Sequence, residues 1–437
     1  MRAERARCAG GEGARRTGAL LAVTALTAGS LLLAAPPAGA TEATGAPPTV
    51  LDGGGECTFP MKRQIEGVPW PLQRVLFDEL WKDTKGKGVR VAVIDTGVDI
   101  KNPQLKKAVD AKAGKDYLKP DKQNPGPDND RRGKTGGTED IVGHGTKVAG
   151  IIAARPDKGT GFVGIAPEAT IIPIRQNDEK NSGKSDTMAD AIKHALAKGA
   201  QVINISQDTT QPLGPGSSLG RAVAEALSKN VVVVASAGND GMDGKLKDTY
   251  PAAFPGVLAV GSSDRNNERA AFSQSGDFVG VAAPGVDIVS TVPLGGQCVD
   301  NGTSFSAPYV AGVAALLRAK YPDWTAAQIV TRIEQTATRS VNGRDDHVGW
   351  GVIDPVRALA DGPEPPTTGP TPDPGPPKAQ APEPAALAAS ETPQERDERL
   401  ATYALGIGGV LVAVVAGTAV VIRDGRRRRE TYLSRNT

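Results

Sequence analysis

The sequence predicts an α/β domain in which a parallel sheet carries helices on both faces. Two patterns point there. Apolar runs rich in β-branched residues recur at 89–94, 169–174, 201–205, 230–235, 257–260 and 278–282. They are continuous rather than alternating, as in strands buried on both faces. Helical patterns separate them at 146–154, 187–198 and 217–229, and two more, 303–320 and 325–338, close the domain. Strands alternating with helices build parallel crossovers rather than hairpins.

The first run, Val91-Ala92-Val93-Ile94, ends in Asp95-Thr96-Gly97, an acid at the carboxyl end of a strand. Open α/β sheets place functional groups at such ends. The stretch 110–139, rich in Gly, Pro, Asn, Asp and Lys, reads as a long surface loop. Gly143-His144-Gly145-Thr146 puts a histidine where the next helix begins. Within 187–198, Ala191, Ile192, Ala195 and Leu196 share one face. The run at 230–235 leads into Ser236-Ala237-Gly238-Asn239, an amide side chain just past a strand. Asn301-Gly302-Thr303-Ser304 opens the helix at 303–320 and sets Ser304 in its first turn. Free backbone N–H groups and the helix dipole favour negative charge there. Pro308 lies near enough to that helix start to be tolerated. Of the other histidines, His194 reads as packed or solvent-facing and His347 sits in a polar turn before Gly349-Trp350-Gly351, with Trp350 a core anchor.

The side chains at these element ends belong to acyl-transfer chemistry. A serine hydroxyl is a weak nucleophile until a base takes its proton, and the base needs an acid to hold its tautomer. The order Asp, His, Ser is one of the known chain orders for that geometry. Over 85–361 the chain resembles the subtilisin-like serine proteases, the subtilases. Their D-[ST]-G, H-G-T and G-T-S-x-[SA]-x-P motifs read here as Asp95-Thr96-Gly97, His144-Gly145-Thr146 and Gly302 through Pro308. The resemblance implies a subtilisin-like three-layer fold, with Asp95 as orienting acid, His144 as general base and acid, and Ser304 as nucleophile. It implies an oxyanion hole from Asn239 and the Ser304 N–H, and substrate binding along Ser206, Gln207, Ser236 and Gly238. Two departures matter. The substrate strand, S-[LM]-G in the family, reads Ser206-Gln207-Asp208, so specificity does not carry over. Gln104 stands where a calcium-binding carboxylate is usual, and 155–159 lacks a ligand pattern, so no metal and no cofactor are expected.

Both ends of the chain carry export signals. Arg2, Arg5, Arg7, Arg15 and Arg16 precede an apolar stretch at 18–35 and Ala38-Gly39-Ala40, a signal peptide over 1–40. An uncleaved anchor is the alternative. Residues 41–84 form an N-terminal extension. A proline-rich linker covers 362–402 and favours extended polyproline II. No residue from Tyr403 to Ile422 is charged, and Arg423 and Arg426 to Arg429 follow. That stretch is about 30 Å long as a helix, enough to span a bilayer. The basic tail, 423–437, belongs in the cytoplasm and the catalytic body outside. Once Cys8 leaves with the signal peptide, Cys57 and Cys298 remain. In an oxidising compartment their simplest state is a disulfide, two free thiols being the alternative. The net charge of +2, with no basic stripe outside the tail, excludes nucleic acid as a partner.

This layout resembles the mycosins, the membrane-anchored subtilases of type VII secretion systems. The resemblance implies protein or peptide substrates, a membrane anchor and a type VII secretion membrane complex as partner. A general cell-surface subtilase, or a mainly structural subunit of the complex, is the alternative.

Overall fold

Each apolar run occupies one strand of a single sheet, and each helical pattern covers one of its faces. The computed structural model describes residues 57–61, 64–121, 126–178, 183–360, 364–372 and 391–433. The expected signal peptide, the first part of the extension (41–56), much of the linker (373–390) and the tail end (434–437) lie outside the described residues.

Two short helices, α1 (Trp70–Gln73) and α2 (Phe77–Leu80), precede the sheet. Then come β1 (Arg90–Asp95), β2 (Lys115–Asp116), α3 (Pro127–Arg131), α4 (His144–Ala153), β3 (Thr170–Arg175), α5 (Ser185–Ala197), β4 (Val202–Ile205), α6 (Ser218–Ser228) and β5 (Val232–Ser236). The chain continues through β6 (Leu258–Ser263), β7 (Val279–Pro284), β8 (Ile288–Thr291), β9 (Gln297–Asp300), α7 (Thr303–Lys320), α8 (Ala326–Thr336), α9 (Pro355–Leu359) and α10 (Pro393–Leu433). The sheet order is β2-β3-β1-β4-β5-β6-β7, with every pairing parallel. β1 lies between β3 and β4, so the order reverses there and a crevice opens at its carboxyl end.

Successive strand residues point to opposite faces, so continuous apolar runs feed two cores at once. Val91, Val93, Val232 and Val234 join Val148, Ile152, Val310 and Leu317 of α4 and α7. Ala92, Ile94, Ile203, Ile205 and Val233 join Ile192, Ala195, Ala222 and Ala226 of α5 and α6. That is the expected three-layer architecture. Truncating a buried isoleucine such as Ile192 to alanine costs about 2–5 kcal/mol.

Three features differ from expectation. The stretch 110–139 is not a plain surface loop, since it adds β2 to the sheet edge and carries α3. This pairing brings the Asp116 carboxylate 3.6 Å from the guanidinium of Arg175, 1% exposed at the end of β3. Trp350 is half-buried rather than a core anchor, with the Arg339 guanidinium 5.1 Å over its ring. α10 begins at Pro393, inside the expected linker, and runs 41 residues with its described side chains exposed. Good helix formers such as Glu395, Arg396 and Glu398, with Thr392 bonded to Glu395 as a cap, extend it before the apolar part.

The extension is built into the core. Trp70, Leu72, Val75 and Leu80 are buried against the α4 and α7 face. Trp70 Nε1 donates to Val286 O at 2.9 Å, and Trp81 Nε1 to Ile165 O at 2.9 Å. Cys57 and Cys298 form a disulfide with their Cα atoms 6.0 Å apart, tying the extension to β9. β9 pairs antiparallel with β8, a hairpin too short for the sequence pattern to disclose.

Candidate active site

Asp95 ends β1 fully buried, and its Oδ1 accepts the Thr96 N–H at 2.8 Å. The same oxygen lies 2.7 Å from His144 Nδ1, at the first position of α4. A carboxylate there makes Nδ1 the donor, which leaves Nε2 with the lone pair on the ring edge away from Asp95.

One further carboxylate, unremarked in the sequence, joins these two turns. Asp140 accepts from Gly143 N (2.8 Å), Thr146 N (2.8 Å) and Thr146 Oγ1 (2.7 Å), satisfying free donors at the start of α4. It also accepts from Thr96 Oγ1 at 2.9 Å, and that hydroxyl takes the Gly145 N–H at 2.9 Å. The signal was present: an acid just before a helix start is a capping residue. Burial alone would push the imidazole pKa of His144 down. The Asp95 charge and hydrogen bond, with the Asp140 charge added, outweigh that and raise it above the ordinary histidine value.

Ser304 sits in the first turn of α7. Its Oγ donates to Ser206 O at 3.1 Å, while Ser206 Oγ donates to Ser304 O at 2.9 Å. Pro308 explains the second bond. It has no N–H to give the carbonyl four residues back, so the helix leaves Ser304 O free and Ser206 takes it. Asn204 Nδ2 donates in turn to Ser206 Oγ at 2.9 Å. The proline thus couples the serine to the strand beside it. The Phe305 ring stands 5.4 Å from the His144 imidazole, so the starts of α4 and α7 are neighbours. Among the described residues the Ser304 hydroxyl bonds Ser206 rather than His144, a loose state common before substrate binds.

Asn239 follows β5, and its Oδ1 accepts Thr303 N at 2.9 Å and Thr303 Oγ1 at 3.0 Å. Holding the oxygen this way turns Nδ2 outward beside Gly302, where a Cβ would lie 3.6 Å from it. The Asn239 amide and the first-turn N–H of Ser304 are then two donors suited to one oxyanion. Of the residues expected to bind substrate, Gln207 is tied by its Oε1 to Gln176 Nε2 at 2.6 Å. Gly238 N donates to Thr303 Oγ1 at 3.2 Å. Ser206 is engaged with Ser304, and Ser236, 1% exposed, lies beneath the surface. His194 Nε2 donates to Ala113 O at 2.8 Å, and His347 Nδ1 meets Ser275 Oγ at 3.1 Å, so both are held in structural contacts away from Asp95. Gln104 gives Nε2 to Arg155 O (2.9 Å) and Phe162 O (3.0 Å) and takes Gln297 Nε2 on Oε1 (2.8 Å). Its amide therefore acts as a protein crosslink.

Comparison with known proteins agrees with this geometry. A family profile described as the subtilase family matches residues 86–351. The chain is 37% identical over 394 residues to Mycosin-4 of Mycobacterium tuberculosis, covering 80% of this chain and 81% of that one. It is 38% identical over 297 residues to subtilisin E of Bacillus subtilis, covering 68% and 72%. Among solved structures, MycP1 from the ESX-1 type VII secretion system matches with a TM-score of 0.60 at 34% identity, covering 71% of this chain and 90% of that chain.

Proposed function

The chain belongs to the subtilase family of serine peptidases, and from that premise we propose a mycosin-like endopeptidase whose Asp95, His144 and Ser304 cleave peptide bonds through an acyl-enzyme. The observation that carries this reading is the 2.7 Å contact of His144 Nδ1 with buried Asp95, beside the helix start that carries Ser304 and binds Asn239 through Thr303. A bound peptide draws the Ser304 hydroxyl away from Ser206 O and toward His144 Nε2. Ser304 Oγ attacks the scissile carbonyl carbon as Nε2 takes its proton, and the Asp95 carboxylate stabilises the imidazolium. The carbonyl oxygen becomes an oxyanion held by Asn239 Nδ2 and the Ser304 N–H. His144 then returns the proton to the leaving amine, the C–N bond breaks, and an acyl ester remains on Ser304. Water, deprotonated by His144, hydrolyses that ester by the same steps in reverse order.

The peptidase domain, 85–361, acts outside the membrane in this reading, with 41–84 as its extension and 362–402 as the tether. The candidate span Pro393–Arg429, with mean hydropathy 2.5 in its most apolar window, supports a single crossing through 403–422. The arginines after Ile422 support an internal tail. The likeness to Mycosin-4 and to MycP1 supports substrates that pass through a type VII secretion complex in the same membrane. A fluorophosphonate should label Ser304 in the full-length protein, and Ser304→Ala should lose both label and peptidase activity. Activity retained in that variant would overturn the assignment. Asn239→Ala should fold and bind peptide but lower kcat about 10²–10³-fold, or ~3–4 kcal/mol of transition-state stabilisation.

A further inference from the structure

Next to Asn239 the cleft is acidic, and among the described residues no counter-charge pairs with it. Two segments wall this part of the cleft, 206–208 after β4 and 236–239 after β5. Asp208 reaches from the first to the second, because a Cβ placed on Gly238 would lie 3.2 Å from Asp208 Oδ2 and 3.0 Å from Thr249 Cγ2. Gly238 immediately precedes Asn239, so this carboxylate stands beside the residue whose amide faces Ser304. Asp208 and Asp240 line one cavity of about 490 Å³ together with Gln207, Tyr250 and Lys184. Lys184 is the one cation of that lining among the described residues, and no ion pair links it to either acid. Neither Asp208 nor Asp240 has a hydrogen-bond or ion-pair partner among the described residues.

Asp208 is exposed at the cavity mouth. Partial desolvation by the surrounding protein, with the nearby Asp240 charge, lifts its pKa to about 6. Two carboxylates lining one cavity repel each other until a cation enters between them. The family motif has glycine where Asp208 stands, so this feature belongs to the present chain rather than to subtilases in general.

We propose that Asp208, assisted by Asp240, selects a lysine or arginine side chain on the residue that contributes the scissile carbonyl. This rests on the reading of Ser304 and Asn239 given above. A substrate carbonyl oxygen placed between Asn239 Nδ2 and the Ser304 N–H brings the side chain of that residue against the walls at 206–208 and 236–238. A guanidinium or ammonium there donates charge-assisted hydrogen bonds to Asp208. A neutral side chain leaves both carboxylates unpaired, and an acidic one is repelled. The substrates are therefore peptides cut directly after a basic residue.

The test uses the full-length protein in detergent at pH 8, well above the pKa of Asp208. Rates are referred to the fraction of Ser304 that a fluorophosphonate labels. The substrates are peptides identical except for Arg, Lys, Gln, Met or Glu before the scissile bond. The expected kcat/KM for Arg and Lys exceeds that for Gln and Met by about 10–100-fold, with Glu slowest. Asp208→Asn should collapse the ratio of basic to neutral substrates, Asp240→Asn should lower it in part, and Asp208→Lys should turn the preference toward Glu. A wild-type enzyme that takes the label in a separate sample yet shows no preference for Arg or Lys, or a preference that survives both Asp208 substitutions, overturns the inference and leaves the triad standing. A wild-type enzyme that neither takes the label nor cuts any peptide overturns the reading of Ser304 and the inference with it.

Discussion

His144 is pulled in two directions, and the outcome sets its working pH. Burial favours the neutral ring, Asp95 and Asp140 favour the charged one, and Lys147 opposes them; the carboxylates win. The base acts in its neutral form, so kcat/KM should fall as pH drops through this raised pKa. Stability runs the other way. A folded pKa above the unfolded one means the protonated ring stabilises the fold fully below the ordinary histidine pKa, and that contribution fades as pH rises through the raised value. Asp140→Asn keeps a side-chain oxygen for the start of α4 but removes one charge. Its acid limb should move to lower pH at a cost of about 1–2 kcal/mol in stability, read from a pH–rate profile and a denaturant melt. An acid limb that stays in place would mean that Asp140 acts on the backbone alone.

The arm at 57–81 behaves as part of the domain rather than as a removable plug. The disulfide holds one end, and Trp70 and Trp81 hold the other. Between them Gln297 Oε1 accepts the Ile65 N–H at 2.9 Å, and Thr160 Oγ1 donates to Ile65 O at 2.6 Å. Phe59 packs on Gly143, just ahead of the histidine, where φ is +85° and a Cβ would run into the phenyl ring. The bond from Cys57 to Cys298 closes a loop with a sequence separation of 241, for which chain entropy gives roughly 4–5 kcal/mol. Replacing both cysteines by alanine, or deleting 41–60, should lower Tm by about 2–4 °C per kcal/mol lost. Peptidase activity should not rise. A large gain in activity after the deletion would identify the arm as an inhibitor.

At the scale of the whole chain, the order of body, proline-rich tether, apolar helix and arginine cluster predicts a tail inside and a catalytic domain outside. A tag placed after Thr437 should resist protease added to intact cells, and its digestion would reverse the topology. Truncation at Asp361 should release a soluble, folded peptidase. The described tether residues meet the domain through exposed bonds, such as Gln335 Nε2 to Thr368 O (3.1 Å) and Arg339 Nη1 to Thr371 O (2.8 Å), with only Pro366 and Pro370 half-buried among them. Exposed contacts of this kind contribute little to stability.

What the sequence determined by itself is local. The strands at 89–94 and 201–205 and the helix at 303–320 were legible because burial on both sheet faces demands unbroken apolar runs, and helix packing demands a 3.6-residue repeat. The position of Asp95, His144, Asn239 and Ser304 at or next to element ends was legible because each lies within a motif whose neighbours constrain the backbone. Tertiary structure decided whatever depends on two distant segments meeting. β2 pairs with β3 over two residues and sets Asp116 beside buried Arg175, and no periodicity over two residues can announce that. Trp350 was misplaced because an aromatic between glycines looks the same whether a core or an arginine covers it. The link from Pro308 through Ser304 to Ser206, and the approach of Asp208 to Gly238, join residues brought together only when β4, β5 and α7 pack. Hydrophobic pattern sets the elements; which polar groups become neighbours depends on the packing of the completed fold.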